Sequence, residues 1–294
     1  MATSTSQREI HPLDVLEHYA TLPDADMKDV VGGLMHSFDA TTLTIQDAYP
    51  KAKYHLLVLP RPHDGIQTKY LRNLKVLFAG DKARAKAVLE DLGRAAEKAK
   101  ESIEQDMLER WKFKWDVWMG FHAIPSMRHI HMHVISADLV SKSLKNKKHY
   151  NTFHPKLGFF LHYKDVMEWF EAVPSYWERM IQFKPSTYEP LLKEDLVCFH
   201  CHREMRNIPV LKDHLEREFD EMKERGRERE RNRKAALEKK RKREEERAAK
   251  AEAEKTSAET SPEAFQSQSQ SQPFATEDDA PPTKKQETQS DNVH

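Results

Sequence analysis

The sequence predicts an α+β fold, a mostly antiparallel sheet with helices on one side, followed by a small metal-stabilised unit. Three observations carry this prediction. His129-Ile130-His131-Met132-His133-Val134-Ile135 alternates imidazoles with apolar side chains, the period-two pattern of a half-buried strand. Between Ala83 and Trp111, apolar residues recur at the three- and four-residue spacing of an amphipathic helix. Cys198-Phe-His-Cys201 is followed by His214 and Glu218 in a Cys-x2-Cys-x12-His-x3-Glu arrangement suited to zinc.

Taken in chain order, residues 1–25 are polar and read as a flexible N-terminus. Leu43 to Asp47 and Tyr54 to Leu59 read as two strands of a hairpin, with Tyr49-Pro50-Lys51 in its basic turn. The helix from Ala83 buries Val88, Leu89, Leu92, Ala96, Ala99, Ile103 and Met107 on one stripe. A strand over Phe113 to Phe121 and a loop from His122 to Arg128 lead into the histidine strand. On that strand His129, His131 and His133 are expected to share one exposed face, with Ile130, Met132 and Val134 in the core. Residues 137–156 read as a polar, basic loop, and apolar periodicity resumes from Phe159 to Phe183. The expected division is a histidine-bearing domain over 26–185, a two-cysteine zinc unit over 186–222, a charged helix or disordered segment over 223–255 and a disordered tail over 256–294. The tail is Ser-, Gln-, Pro- and Thr-rich, with Ser267 to Gln272 strictly alternating Ser and Gln.

Composition narrows the class. With 294 residues, the chain has room for one or two domains, and 38% apolar against 33% charged residues implies that part of it is solvated. Equal numbers of basic and acidic residues, 48 each, conceal an uneven distribution. Two cysteines three positions apart cannot build a disulfide framework and point to a reducing compartment. Met1 to Glu17 has no signal-peptide pattern, and no stretch has the length and apolarity of a membrane span.

Three same-face imidazoles can hold a metal or carry out phosphorus chemistry. The neighbouring motifs bear on that choice. The pattern His-φ-His-φ-His-φ-φ, where φ is apolar, resembles the histidine-triad superfamily of nucleotide hydrolases and transferases. Upstream lies Asp47-Ala48-Tyr49-Pro50-Lys51-Ala-Lys53-Tyr-His55, then Gly120-Phe-His122-Ala-Ile-Pro-Ser126-Met127; downstream lies Ser143-Leu-Lys145-Asn146-Lys-Lys-His149-Tyr150, then the two-cysteine unit. In this order, over about residues 27–222, these elements resemble the aprataxin family, which removes AMP from abortively ligated DNA ends. The likeness is to its shorter, fungal type, since little ordered sequence precedes residue 27 and no forkhead-associated domain is expected there.

The resemblance and the chemistry together imply a division of roles. His131 is the expected nucleophile, forming a covalent AMP-histidine, and His122 the expected general acid for the leaving DNA 5′-phosphate. His133 and Ser126 are expected to donate hydrogen bonds to non-bridging oxygens, with His129 in support. Asp47 is expected to bind the ribose, with Ala48, Tyr49 and Pro50 beside it. Lys51 and Lys145 match family positions near the DNA phosphates. The implied activity is hydrolysis of 5′-adenylated DNA, extending to RNA–DNA junctions and 3′-guanylate caps.

The expected metal ligands are Cys198, Cys201, His214 and Glu218. His214 and Glu218 fall four residues apart on one helix face, and His200 and His202 are alternatives to Glu218. Four ligands close the coordination sphere, so the zinc is expected to be structural. The expected partners are nicked or double-stranded DNA carrying 5′-AMP, the AMP product, and repair proteins reached through the tail; no membrane is expected. Backbone binding would use loop 142–148, Lys51 and Lys53. An apolar wedge for the terminal base pair is sought within Met27 to Phe38, at Met27, Val30, Val31 or Leu34. Lys239 to Arg243 is a basic cluster consistent with a nuclear address. Two rival readings are a histidine-triad phosphoramidase or dinucleotide hydrolase, and a non-catalytic zinc-finger DNA-binding protein.

Overall fold

The computed structural model describes residues 10–259. Its helices are α1 (Val15–Ala20), α2 (Asp24–Val31), α3 (Leu74–Phe78), α4 (Lys82–Trp111), α5 (Lys147–Asn151), α6 (Tyr163–Trp169), α7 (Pro174–Met180), α8 (Pro185–Tyr188) and α9 (Ile208–Glu259). Its strands are β1 (Met35–Phe38), β2 (Thr42–Gln46), β3 (His55–Pro60), β4 (Val117–His122), β5 (Met132–Ser136) and β6 (Phe160–His162). They form one sheet in the order β1-β2-β3-β5-β4-β6, with every neighbouring pair antiparallel. The α+β class and the antiparallel sheet agree with the sequence.

Period-3.6 patterning puts α4 across one face of the sheet. All seven residues of its predicted stripe are buried, in a core shared with Val58, Met132 and Val134. The Asp81 side chain caps its first turn by accepting the Arg84 N–H at 2.7 Å, and Lys112 ends it in the left-handed region at φ 63°.

The opposite face of β2 and β3 holds a second apolar cluster, and here the sequence reading needs correction. Residues 10–25, expected to be flexible, include α1 and the start of α2. Leu16, Ala20 and Leu22 join Met27, Val31, Leu43, Ile45, Leu57 and Leu59 in that cluster. Met27 and Val31 are therefore core residues, leaving Val30 as the exposed member of the proposed wedge. Residues 1–9 lie outside the described residues.

The histidine strand also begins later than its alternation suggests. His129 has φ 77°, and the backbone N–H groups of His129 and Ile130 donate to the carbonyls of Arg72 and Leu71, at 2.9 and 2.7 Å, instead of to a neighbouring strand. The ladder starts at Met132. None of the three imidazoles is exposed: His129, His131 and His133 are all buried. The expected loop over 137–156 contains α5 and buries Leu139, Val140, Leu144, Tyr150 and Phe153.

After the cysteine knuckle, α9 continues past Met222. Phe219 packs among Trp111, Phe113 and Trp115, with its ring 4.9 Å from that of Trp115, and a Cβ on Gly226 would lie 2.6 Å from the Phe113 ring. The finger and the sheet domain thus share one core in a unit that extends to Ala236. A second unit starts at Leu237; its described part is the charged end of α9, with the ion pairs Glu238–Lys242, Lys240–Glu244 and Arg241–Glu245. Residues 223–255 lie within α9. The helix takes in the first residues of the expected tail, and residues 260–294 lie outside the described residues. Among the described residues, no helix is long and apolar enough to cross a membrane.

Candidate active site and metal centre

Strand register assembles the imidazoles. His133 on β5 pairs with Leu57 of β3 and with Gly120 of β4, so His55, two residues before Leu57, and His122, two after Gly120, project on the same face as His133. The His122 and His133 rings lie 4.3 Å apart and the His131 and His133 rings 5.1 Å apart. Phe153 packs in T-shaped contact with His55, His122 and His133.

Hydrogen bonds assign the tautomers. A carbonyl only accepts, so His131 donates from Nδ1 to the His129 carbonyl at 2.9 Å, which leaves its Nε2 as an unprotonated lone pair. His129 donates from Nε2 to the Pro60 carbonyl at 2.7 Å. The Lys51 backbone N–H donates to His55 Nδ1 at 3.2 Å, so His55 carries its proton on Nε2 and passes a hydrogen bond to His133 Nδ1 at 2.9 Å. His133 is thereby protonated at Nε2, a buried atom with no partner, as is Nε2 of His122. Buried polar atoms without partners are rare and mark where a ligand's polar groups are wanted.

Burial dominates the electrostatics. Desolvation lowers every one of these histidines below the ordinary 6.5: His55 and His129 to about 4, and His131 as well, although the His129 carbonyl and Asp47 oppose it. His122 and His133 fall well below it, and their imidazole neighbours and Lys51 push them in the same direction. The group is therefore neutral at pH 7. Asp47, His55 and His133 also bring ligand atoms within 4.8 Å of one another. The His55–His133 contact is of hydrogen-bond length and occupies both facing nitrogens, so a relay explains this trio better than a metal does.

Beside the imidazoles sits the β2–β3 turn. Asp47 accepts the Tyr49 N–H at 2.7 Å and stands 3.4 Å from His55 Nδ1. Tyr49 is exposed, Ala48 and Pro50 complete the turn, and the Lys51 ammonium donates to the Tyr49 carbonyl. Burial lowers the Lys51 ammonium below its usual range; Asp47 opposes this and Lys145 adds to it. Lys145 thus faces Lys51 from the loop after β5. Ser126 lies in the loop after β4 and lines a cavity of about 220 Å³ with Arg72, Lys75 and Arg128; no histidine lines that cavity.

The knuckle forms a second centre. The Cys198 N–H donates to the Arg203 carbonyl at 2.9 Å and the His202 N–H to the Cys198 carbonyl at 2.8 Å, closing a tight turn with His202 left-handed at φ 57°. Ligand atoms of Cys198, Cys201 and His214 gather within 4.8 Å, with Cys201 Sγ 3.2 Å from His214 Nε2. Two thiols and an imidazole at this separation fit tetrahedral zinc. Glu218 Oε1 is 3.5 Å from His214 Nε2 but falls outside the group of three ligand atoms. His202 turns instead to the Lys156 ammonium at 3.1 Å, and the His200 ring lies against Phe199.

Two family descriptions match the chain: scavenger mRNA decapping enzyme C-terminal binding over residues 26–149, and C2HE/C2H2/C2HC zinc-binding finger over 156–221. The aprataxin-like protein of Saccharomyces cerevisiae is 31% identical over 228 residues, covering 70% of this chain and 94% of that protein. The chain belongs to the aprataxin family. Aprataxin from Danio rerio is 36% identical over 178 residues, 60% of this chain and 47% of its own, so the chain spans about half the length of that relative. The aprataxin ortholog Hnt3, solved in complex with DNA, has the same fold, with a TM-score of 0.56 at 23% identity over 73% of this chain and 98% of that one.

The aprataxin fold brings His122, His131 and His133 together, sets Asp47 and Lys51 beside them, and puts Lys145 within electrostatic reach of Lys51. It withdraws His129 from the cluster into the core. Sequence reading assigned no role to His55, although it closes the same upstream motif as Lys51, nor to His149. His149 accepts the Lys145 N–H at 3.1 Å, and burial lowers its pKa, with Lys51 adding to the effect. A histidine that starts the strand paired with His133 was the available signal for His55.

Proposed function

We propose that this protein hydrolyses 5′-adenylated DNA through a covalent AMP-histidine and restores a 5′-phosphate. One observation carries the reading: the His129 carbonyl holds the Nδ1 proton of His131, so Nε2 presents its lone pair in a neutral, water-poor site. In the first step Nε2 of His131 attacks the AMP phosphorus, an N–P bond forms, and the P–O bond to the DNA 5′-phosphate breaks. His122 protonates that leaving oxygen. It is neutral in the free protein, and the negative diphosphate supplies the charge that raises its pKa on binding. The Nε2–H of His133 donates to a non-bridging oxygen, and Asp47 accepts from the ribose. Water then attacks AMP-His131, releasing AMP and the free imidazole.

The DNA reading draws support from the Hnt3 structure with DNA, and the extension to guanylate caps from a second Hnt3 structure with DNA and guanosine. Lys51 and Lys145 would neutralise backbone phosphates. The finger would hold a structural zinc through Cys198, Cys201, His214 and Glu218; when bound, the metal supplies folding energy to a unit with little core of its own. A role in repair and a nuclear location, the latter resting on Lys239 to Arg243, complete the proposal.

The test is single-turnover incubation with 5′-adenylated nicked DNA labelled in the AMP. Trapping of label on the wild-type protein and none on His131→Ala, with DNA still bound, is the expected result. Equal AMP release by His131→Ala, or faster turnover of AMP-lysine than of adenylated duplex, would overturn it.

A further inference from the structure

The short helix α5 stands between the knuckle, to which it is hydrogen-bonded, and the histidines, on which Phe153 just beyond it packs. Toward the knuckle, Tyr150 is fully buried; its hydroxyl donates to the Val197 carbonyl at 2.9 Å and accepts the Phe199 N–H at 3.2 Å, spanning the backbone on both sides of Cys198. Asn151, also fully buried, donates from Nδ2 to the carbonyl of Glu194 at 2.9 Å and to those of Leu191 and Leu192 at 3.4 Å. The Lys147 ammonium adds contacts to the Lys193 carbonyl and the Asp195 carboxylate. Every one of these bonds falls on residues 191–199.

At its start the Asn146 side chain caps α5 by accepting the His149 N–H at 2.9 Å, and His149 Nδ1 accepts the Lys145 N–H at 3.1 Å. Toward the histidines, Phe153, two residues past α5, packs on the rings of His55, His122 and His133 at 5.3, 4.7 and 5.1 Å, while Lys145 and His149 both interact electrostatically with Lys51. Five residues are too few for a helix to hold itself together in water, so what α5 is bonded to sets its place.

We infer that α5 couples the metal knuckle to the catalytic pocket, with Tyr150 and Asn151 as positioning residues for the loop that carries Lys145 and His149. The finger then does more than grip DNA. When the knuckle loses its metal-held shape, the Tyr150 hydroxyl loses both partners in a buried place, α5 loosens, and the Lys145 loop moves away from Lys51. The inference rests on the AMP-transfer reading of the His131 site for its kinetic consequence, but not for its structural one.

The test uses the zinc-loaded full chain, the chelated chain and Tyr150→Phe, which keeps the ring and removes only the hydroxyl. Two substrates are compared: adenylated nicked duplex, and a 5′-adenylated dinucleotide that carries the diphosphate but no duplex for a finger to hold. Hydrogen exchange is followed over residues 141–149. Tyr150→Phe is expected to retain zinc, to exchange faster over 141–149, and to raise KM for the dinucleotide by about tenfold, with kcat less affected. Unchanged dinucleotide kinetics with exchange gains confined to 191–222 would overturn the coupling. Should Tyr150→Phe fail to fold, exchange in the chelated wild type decides by the same criterion. Wild-type protein that turns over neither substrate would remove the AMP-transfer reading and leave the exchange result to judge the coupling.

Discussion

His55 Nε2 lies 2.9 Å from His133 Nδ1, and this contact fixes which nitrogen His133 offers to the site. The Lys51 N–H holds His55 in one tautomer, His55 holds His133 in one tautomer, and the chain ends at a buried N–H without a partner. Preorganised donors of this kind need no reorientation as charge develops in a transition state.

His55→Ala breaks the relay while leaving the nucleophile in place. The expected result is a fall in kcat of about 10² with little change in DNA affinity, because an oriented donor is lost and a phosphate contact is not. Steady-state kinetics beside a DNA-binding isotherm check this, and a thermal melt separates it from unfolding. Activity near the wild-type level would remove the relay from the mechanism.

Stability should follow the buried histidines. Their folded pKa values lie below the 6.5 of the unfolded chain, reaching about 4 for His55 and His129. Between these values the unfolded chain binds more protons, so stability increases with pH there. The contribution is fully present above about pH 6.5 and is lost as the pH falls from there toward 4. The urea midpoint should be level between pH 7 and 8 and drop by pH 5. The acid limb of kcat/KM should likewise fall below 6.5, since His131 must be neutral to attack. An unchanged midpoint down to pH 5 would contradict this account.

Metal analysis should find one zinc per chain. Cys198→Ser should lose it, and chelation should unfold the finger and weaken DNA binding. Glu218→Ala should keep zinc with reduced affinity, because two thiolates and an imidazole remain to hold it. Titration against a chromogenic chelator measures this; a purified protein without metal would refute the finger.

Gly120 is required by its neighbours. A Cβ there would lie 2.4 Å from the Leu161 carbonyl oxygen on β6 and 2.8 Å from the Phe160 ring. Backbone cannot step aside as a side chain can, so Gly120→Ala should cost about 3 kcal/mol and disturb His122 at the end of the same strand. Urea denaturation gives the stability, and loss below 1 kcal/mol would mean that β6 yields more readily than its pairing implies.

Lys145→Ala should weaken binding of duplexes of any sequence to a similar degree. It should also lower the slope of log K against log salt by about 0.9, the value for one phosphate contact. Fluorescence anisotropy at several salt concentrations reads both, and an unchanged slope would place Lys145 away from the backbone.

Local patterning carried much of this into the sequence. The α4 stripe from Val88 to Met107 is written in three- and four-residue spacing, and the hairpin in its alternation around Tyr49-Pro50. Segments whose burial depends on distant partners were harder to read. Leu16 and Ala20 look like sparse apolar residues in a polar stretch until β2 and β3 present the surface they cover. The segment over 137–156 reads as basic because Lys142, Lys145, Lys147 and Lys148 are interspersed among the apolar side chains that turn inward.

By itself the sequence determined the sheet-and-helix class, the row of histidines and the Cys-x2-Cys-x12-His spacing, because periodicity and ligand spacing are local properties of a chain. Only the tertiary structure decided what each histidine does. The left-handed turn at His129, paired with Leu71 and Arg72, removes that imidazole to the core and points its carbonyl at His131. Strand pairing brings in His55 from far upstream, and burial makes the whole group neutral. Tautomer and charge depend on which backbone and side-chain groups the fold brings within hydrogen-bond reach and on how deeply it buries them, and that is a property of the folded chain alone.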